Sequence, residues 1–161
     1  PGADRVQRVD DGFAQAQPFG DRHDFNPGRV QPLAVVVRQR KLFREDQPLW
    51  TPEEGQRSVP LKFCYSMAGP QRVELIEGPE GTPWWHGDPE NLHHAGVWAD
   101  VPALTEELLS RGWTLVMAQK SPEEGYGSFT YVRSPTGFLL EPVALANKPR
   151  MERWFETGVL G

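Results

Sequence analysis

The sequence has little of what would point to a disulfide-stapled, membrane-bound or nucleic-acid-binding protein. A single cysteine, Cys64, excludes an internal disulfide bond and is typical of the reducing cytoplasm. The longest uncharged apolar runs, such as residues 33–37, are far too short to span a bilayer. No signal peptide is evident either, so we expect a cytoplasmic protein with no membrane contact.

Positive charge is scarce as well. Asp and Glu number 22 against 17 Lys and Arg, which gives a formal net charge of -5. The basic residues gather only locally, as at 38–41, and such a cluster is more typical of a solvated strand edge than of a surface that follows a phosphate backbone. We therefore expect a small-molecule partner and no nucleic acid. The 161 residues suffice for one buried core, or for two small modules that share one.

The second half of the chain has the clearest pattern. Residues 92–99 alternate as a strand, and Asp100 can cap a helix that has Pro102 in its first turn. This helix should reach about Arg111, where Gly112 can end it in a left-handed conformation. Three strands are predicted after it, at residues 113–118, 127–133 and 138–145. The order is β-α-β-β-β.

The first half can be divided in the same way. Apolar residues recur at period two over residues 59–67, and a turn then leads into a strand at 72–77. Upstream we predict a strand at 4–9, a short helix at 10–17 and a strand at 33–38, with loops at 19–29 and 47–57. We therefore predict an α+β chain with a first module at 1–78, a linker or cleft loop at 79–91, a second module at 92–146 and a C-terminal tail helix at 147–161.

Three of the predicted strands carry histidine or glutamate residues that can bind a metal ion. His93 and His94 lie on a strand between two others, of which one carries Glu74 and the next Glu141. Imidazole and carboxylate groups together are suitable ligands for a divalent metal ion. The alternative is that both glutamates lie on solvated faces and that the histidines are ordinary half-buried side chains.

The alternation of the strands selects among these residues. Glu141 shares its face with Leu139 and Val143, where burial without a partner would cost several kcal/mol that a metal would remove. Glu74 faces away from its two apolar neighbours. His94 shares its face with Gly96 and Trp98, so His93 would point outward or orient another group.

Three motifs resemble the vicinal oxygen chelate superfamily. They are VELIEG (73–78) closing the first module, LHHAGVWAD (92–100) opening the second and FLLEPV (138–143) closing it. The chain is most similar to the glyoxalase-like and methylmalonyl-CoA-epimerase-like branch, well over 58–145 and poorly over 1–50. The resemblance implies two βαβββ modules that form a curved half-open barrel around one cleft. At its base it implies a divalent metal ion (Zn, Ni, Co, Mn or Fe) on Glu74, His94 and Glu141.

The fourth ligand is where the chain departs from the family. Related proteins carry His, Gln or Glu on the first strand of module one, and the candidates here are Asp4, Gln7 and His23. Three alternatives therefore remain open. The metal has four protein ligands, or it has three protein ligands and water, or the metal site is degraded and only binds a small-molecule ligand.

The resemblance implies metal-assisted proton abstraction next to a chelated carbonyl oxygen, with isomerisation, epimerisation or lyase chemistry as the outcome. Glu141 is the first choice for the base and Glu74 the second. One alternative is a metal-free binding protein of the bleomycin-resistance type. The other is an Fe(II) extradiol-type dioxygenase, which needs a histidine on the first strand of module one.

Six further side chains are candidates for substrate contact in the cleft: Trp84, Trp85, Trp98, Phe129, Tyr131 and Arg133. For Trp84 and Trp85, packing between the modules is an equally strong alternative to substrate contact. For Phe129 the alternative is core packing, and for Arg133 it is a surface ion pair. In the tail, Met151, Trp154 and Phe155 have helical spacing and should pack on a partner subunit or cap the barrel. We therefore expect a homodimer that uses this tail and exposed sheet edges.

Overall fold

The computed structural model describes residues 6–7, 39–67, 71–85, 87 and 94–160. This part of the chain contains eight strands and two α-helices. The strands are β1 (Val6–Gln7), β2 (Gln39–Thr51), β3 (Gly55–Ser66), β4 (Glu74–Glu77), β5 (His94–Ala99), β6 (Thr114–Ala118), β7 (Thr130–Arg133) and β8 (Leu139–Ala144). The helices are α1 (Val101–Ser110) and α2 (Lys148–Thr157). Neither helix is long and apolar enough to cross a membrane.

The second module has the predicted order, β5-α1-β6-β7-β8. Its helix begins where the sequence indicates, because the carboxylate of Asp100 accepts a hydrogen bond from the backbone N–H of Ala103 at 3.1 Å. Gly112 follows the helix with φ +84°, a conformation that favours glycine. One face of α1 packs on the sheet, where the hydroxyls of Thr105 and Thr130 are 2.8 Å apart and fully buried.

The strands form one curved mixed sheet in the order β4-β3-β2-β6-β7-β8-β5, with β1 paired to β2. Neighbours are antiparallel except β5 and β8, which run parallel with Gly96 opposite Glu141. The interior is filled by a cluster that includes Leu49, Leu61 and Met117. The prediction of an α+β half-open barrel is therefore confirmed.

The predicted loop at 47–57 is wrong, because β2 and β3 continue through it. A turn at 52–54 joins the two strands, and Gly55 adopts φ +72° after it. Pro48 and Pro52 indicate a break, yet Gln47, Leu49 and Thr51 are buried at period two. The pairing of β2 with β3 shifts register between Arg44 and Gln47, as at a β-bulge.

In the first module, β1 and β4 lie within the predicted strands at 4–9 and 72–77. The first strand pairs antiparallel with β2, with Val6 opposite Arg44, whereas the second module pairs its first strand with its last. The predicted helix at 10–17, loop at 19–29 and strand at 33–38 lie outside the described residues.

The C-terminal helix packs on its own chain. Trp154 and Phe155 are buried with Leu42, and Phe63 and Tyr65 of β3 pack against them. This arrangement agrees with the prediction that the tail caps the barrel. The apolar stripe on which we based the homodimer is covered within the chain, so the dimer stays a prediction that the tail does not support.

Candidate metal centre

Glu74 reaches the interior because β4 alternates. Glu74 and Ile76 face the inside, while Leu75 on the opposite face is 59% exposed. In the pairing with β3, Glu74 stands opposite Tyr65. The predicted orientation of Glu74, away from Val73 and Leu75, agrees with this geometry.

His94 is the first residue of β5 and lies between two carboxylates. Its Nε2 atom is 3.2 Å from Oε2 of Glu74 and 3.4 Å from Oε2 of Glu141. All three side chains are mostly buried, with 13–14% of their surface exposed. The strands that carry Glu74 and His94 are the two ends of the sheet order, so the curvature of the sheet brings the site together.

Glu141 lies on β8 opposite Gly96 of β5, which has no side chain. A Cβ atom built at Gly96 would be 3.5 Å from Oε2 of Glu141. Burial raises the pKa of Glu141, and the negative charge of Glu74 raises it further, while hydrogen bonds with His94 and Tyr131 act in the opposite direction. The net direction is upward, so this carboxylate is a stronger base than an exposed one.

The charge on His94 depends on the same contacts. Desolvation alone would lower its pKa, but hydrogen bonds with Glu141 and Glu74, and their negative charge, outweigh it and raise the pKa to about 9. At neutral pH the metal-free site therefore holds an imidazolium between the two glutamates. This arrangement supplies one positive charge where a metal ion would supply two.

The donor set fits a divalent transition metal. One ligand atom from each of Glu74, His94 and Glu141 lies within 4.8 Å of the others. Ligands about 2.0–2.2 Å from a zinc ion lie about 2.8–3.6 Å apart when they are neighbours in tetrahedral or octahedral geometry. The two histidine–glutamate separations, 3.2 and 3.4 Å, agree with that spacing.

Two tyrosines surround this centre. Tyr65 stands opposite Glu74 in the pairing of β3 with β4, and Tyr131 lies on the strand next to Glu141, with its hydroxyl 3.3 Å from Nε2 of His94. Burial, together with the charge of the glutamates, raises the pKa of both tyrosines, so the hydroxyls stay protonated and can donate. Tyr131 was predicted only as a cleft wall. Tyr65 was not predicted, although the alternation of β3 puts it on the inner face.

The remaining candidates for substrate contact are spread over different places. Trp84 is 3% exposed and donates from its indole N–H to the Tyr131 hydroxyl at 3.4 Å, so it packs between the modules. Phe129 packs against both of these rings. Trp85 and Arg133 are half-buried, and Trp98 is 37% exposed on β5. Asp4, His23, His93 and the side chain of Gln7 lie outside the described residues.

A comparison with protein families agrees with this architecture. A profile of the Glyoxalase/Bleomycin resistance protein/Dioxygenase superfamily matches residues 28–131, about two thirds of the chain. The chain belongs to this superfamily. The matched segment includes Glu74 and His94 and ends before Glu141. No curated protein and no solved structure matches significantly. Members of the superfamily usually bind divalent metals and small molecules, and the cluster of Glu74, His94 and Glu141 is a possible metal site of that kind.

Proposed function

We propose that the protein is a metal-dependent isomerase, epimerase or lyase that removes a proton next to the carbonyl group of a small molecule. The observation that carries the proposal is the placement of Glu141. Its carboxylate is mostly buried, lies 3.4 Å from the imidazole of His94 and faces the open position beside Gly96. A base with a raised pKa is thus directed toward space that a substrate can occupy.

The site combines metal ligands and a base in one small volume. Glu74, His94 and Glu141 would hold the ion. When bound, a divalent cation supplies Lewis-acid stabilisation of the negative charge that develops on two substrate oxygens. The chain's own part is to present the imidazole and the two carboxylates together, and binding of the ion would displace the imidazole proton.

Glu141 is a better candidate for the base than Glu74. In the metal-free chain, burial and the nearby charge of Glu74 raise its pKa, so that once displaced from the ion this carboxylate would be closer to the range in which general bases work at neutral pH. Tyr131 stands opposite Glu141 on the neighbouring strand, and its hydroxyl accepts a hydrogen bond from the indole of Trp84. Glu74 remains the second choice, and an epimerase would need both residues.

Gly96 would admit the substrate. It is exposed, and along the same face of β5 it stands between His94 and Trp98. A larger residue would fill the space against Glu141. Trp98, which is 37% exposed, can cover an apolar part of the bound molecule.

Two alternative functions, a dioxygenase and a metal-free binding protein, are distinguished by the experiment described below. An Fe(II) extradiol-type dioxygenase would use two histidines and one carboxylate, whereas the cluster among the described residues has one histidine and two carboxylates. A metal-free binding protein of the bleomycin-resistance type would use the cleft without the cluster's chemistry.

The decisive experiment follows proton exchange. The protein is loaded separately with Zn²⁺, Ni²⁺, Co²⁺ or Mn²⁺ and incubated in D₂O with a panel of small carbonyl compounds, and deuterium incorporation is read by NMR. We expect metal-dependent exchange at the carbon next to a carbonyl group. Oxygen consumption with Fe(II) and a catechol would support the dioxygenase instead. Ligand binding without metal or exchange would support the binding protein.

We also propose a cytoplasmic homodimer, now through the outer face of β4 rather than the tail. Val73, just before this strand, and Leu75, within it, are 63% and 59% exposed. Light scattering of the wild type and of Leu75→Asp would test it, with a dimer expected only for the wild type. A concentration-independent monomer in both would contradict this assembly.

A further inference from the structure

Each carboxylate of the centre has a tyrosine on the neighbouring antiparallel strand. Tyr65 of β3 stands directly opposite Glu74 of β4 in the antiparallel pairing. In the second module, Val132 of β7 pairs with Leu140 of β8, which places Tyr131 opposite Glu141. The two modules therefore repeat a tyrosine–glutamate pair.

The surroundings of the two tyrosines differ. Tyr131 is 2% exposed, and the rings of Trp84, Phe129 and His94 hold it in the interior. Tyr65 instead makes edge contacts with Trp154 and Phe155 of α2, at centroid distances of 6.0 and 5.4 Å. The C-terminal helix thus contacts the residue that stands opposite one of the candidate metal ligands.

The C-terminal helix also contacts Arg72, which lies just before β4. The guanidinium of Arg72 lies 4.0 Å from the ring centroid of Phe155. The same group donates hydrogen bonds to the carbonyls of Ser66 and Met67, at 3.2 and 2.7 Å. Arg72 is therefore held on one side by the backbone that follows Tyr65 and on the other side by α2.

We propose that Tyr65 is a positioning residue for the metal centre and that α2 fixes its orientation. This inference rests on the proposed metal-dependent function. The hydroxyl of Tyr65 directs the Glu74 carboxylate so that Oε2 faces His94, and the rings of Trp154 and Phe155 limit the rotation of Tyr65. A ligand that is oriented before the ion arrives loses less side-chain entropy on binding.

The first test measures affinity for Co²⁺ in the full chain after treatment with a chelator. Tyr65→Phe keeps the ring and its packing and removes only the hydroxyl. We expect about 10–100-fold weaker Co²⁺ binding, the usual effect of losing a group that orients a ligand, with an altered Co²⁺ absorption spectrum. Tyr126→Phe is the matched control, because Tyr126 is buried near α1 with Val101 and Ala118. It should bind Co²⁺ like the wild type.

The second test asks whether the helix acts through the hydroxyl of Tyr65. Phe155→Leu should weaken Co²⁺ binding severalfold in the wild-type background. Combined with Tyr65→Phe, it should add little, because the hydroxyl that it helps to orient is absent. Fully additive losses would overturn the role of α2.

The outcomes separate this inference from the proposed function. Wild-type Co²⁺ binding that persists unchanged in Tyr65→Phe would overturn the positioning role and leave the metal centre intact. No binding of Co²⁺ or Zn²⁺ by the wild type would overturn the metal centre itself. A double-mutant cycle of Tyr65→Phe and Glu74→Gln on the urea unfolding midpoint of metal-free protein then still tests the pairing. We expect a non-additive shift, and additivity would overturn the pairing.

Discussion

The imidazole of His94 and the carboxylate of Glu74 lie 3.2 Å apart although their strands, β5 and β4, are at opposite ends of the sheet order. The contact joins the two modules by side chains at the point where the curved sheet nearly closes. A metal ion bound there would bridge both modules. Ligand binding and module packing are therefore coupled, and metal should stabilise the fold by mass action.

Glu141→Gln tests the assignment of the base. An amide oxygen can still coordinate metal, so the variant should keep some metal, yet it cannot accept the proton. We expect proton exchange to fall about 10²–10⁴-fold. Glu77→Gln is the control, because this side chain is 60% exposed and pairs with Lys62 on the outer face. Undiminished exchange in Glu141→Gln, measured by NMR in D₂O, would eliminate Glu141 as the base.

Gly96→Val tests the proposed entry for the substrate. The new side chain would lie against Oε2 of Glu141, from which a Cβ atom is 3.5 Å away. We expect metal affinity close to that of the wild type and at least about tenfold weaker binding of any carbonyl ligand, since one misplaced group commonly costs more than 1.4 kcal/mol. Ala95→Val, on the opposite face of β5, should change neither. Equal ligand affinities in all three proteins, measured by calorimetry, would place the substrate elsewhere.

The metal-free protein should lose stability as the pH rises. In the folded chain the pKa of His94 is raised from 6.5 to about 9, so its stabilising contribution is complete below pH 6.5 and is lost as the pH rises to about 9. The raised pKa of Glu141 acts in the same direction. Urea unfolding in the presence of EDTA at pH 6.5, 7.5 and 9 should show this decline.

His94→Gln is the matched variant for the pH series. It lacks the titrating imidazole, so its free energy of unfolding should vary much less over the same interval. Metal affinity of the wild type should follow the opposite course and increase with pH, because the ion must displace the imidazole proton. An equally steep stability decline in His94→Gln would assign the pH dependence to other groups.

The second module could be predicted from sequence because its signals are local. Asp100 caps α1 and Gly112 follows it, as the residue types indicate. The β2–β3 hairpin could not be predicted, because Pro48 and Pro52 indicate a loop. Their neighbours Leu49 and Thr51 show their strand character only through burial against distant residues. Tertiary packing overrides local propensity there.

The site was predictable only where alternation determines it. Strand parity puts Glu74, His94 and Glu141 on the inner face, and the structure brings them together. The partner of Glu74 depends on the register between β3 and β4, which the sequence does not reveal, so Tyr65 was missed. The sequence does not reveal whether Trp84 lines the cleft or packs in the core. In the structure Trp84 packs against Tyr131 in the core.

Metal analysis of the purified protein tests the central claim most directly. Protein prepared without chelator is analysed by mass spectrometry for bound metals, beside His94→Ala and the control Asp100→Ala, which should cost about 1 kcal/mol of stability through the helix cap alone. We predict a stoichiometric divalent transition metal in the wild type and in Asp100→Ala. In His94→Ala it should be lost, with circular dichroism unchanged. The same metal content in His94→Ala as in the wild type would contradict the account.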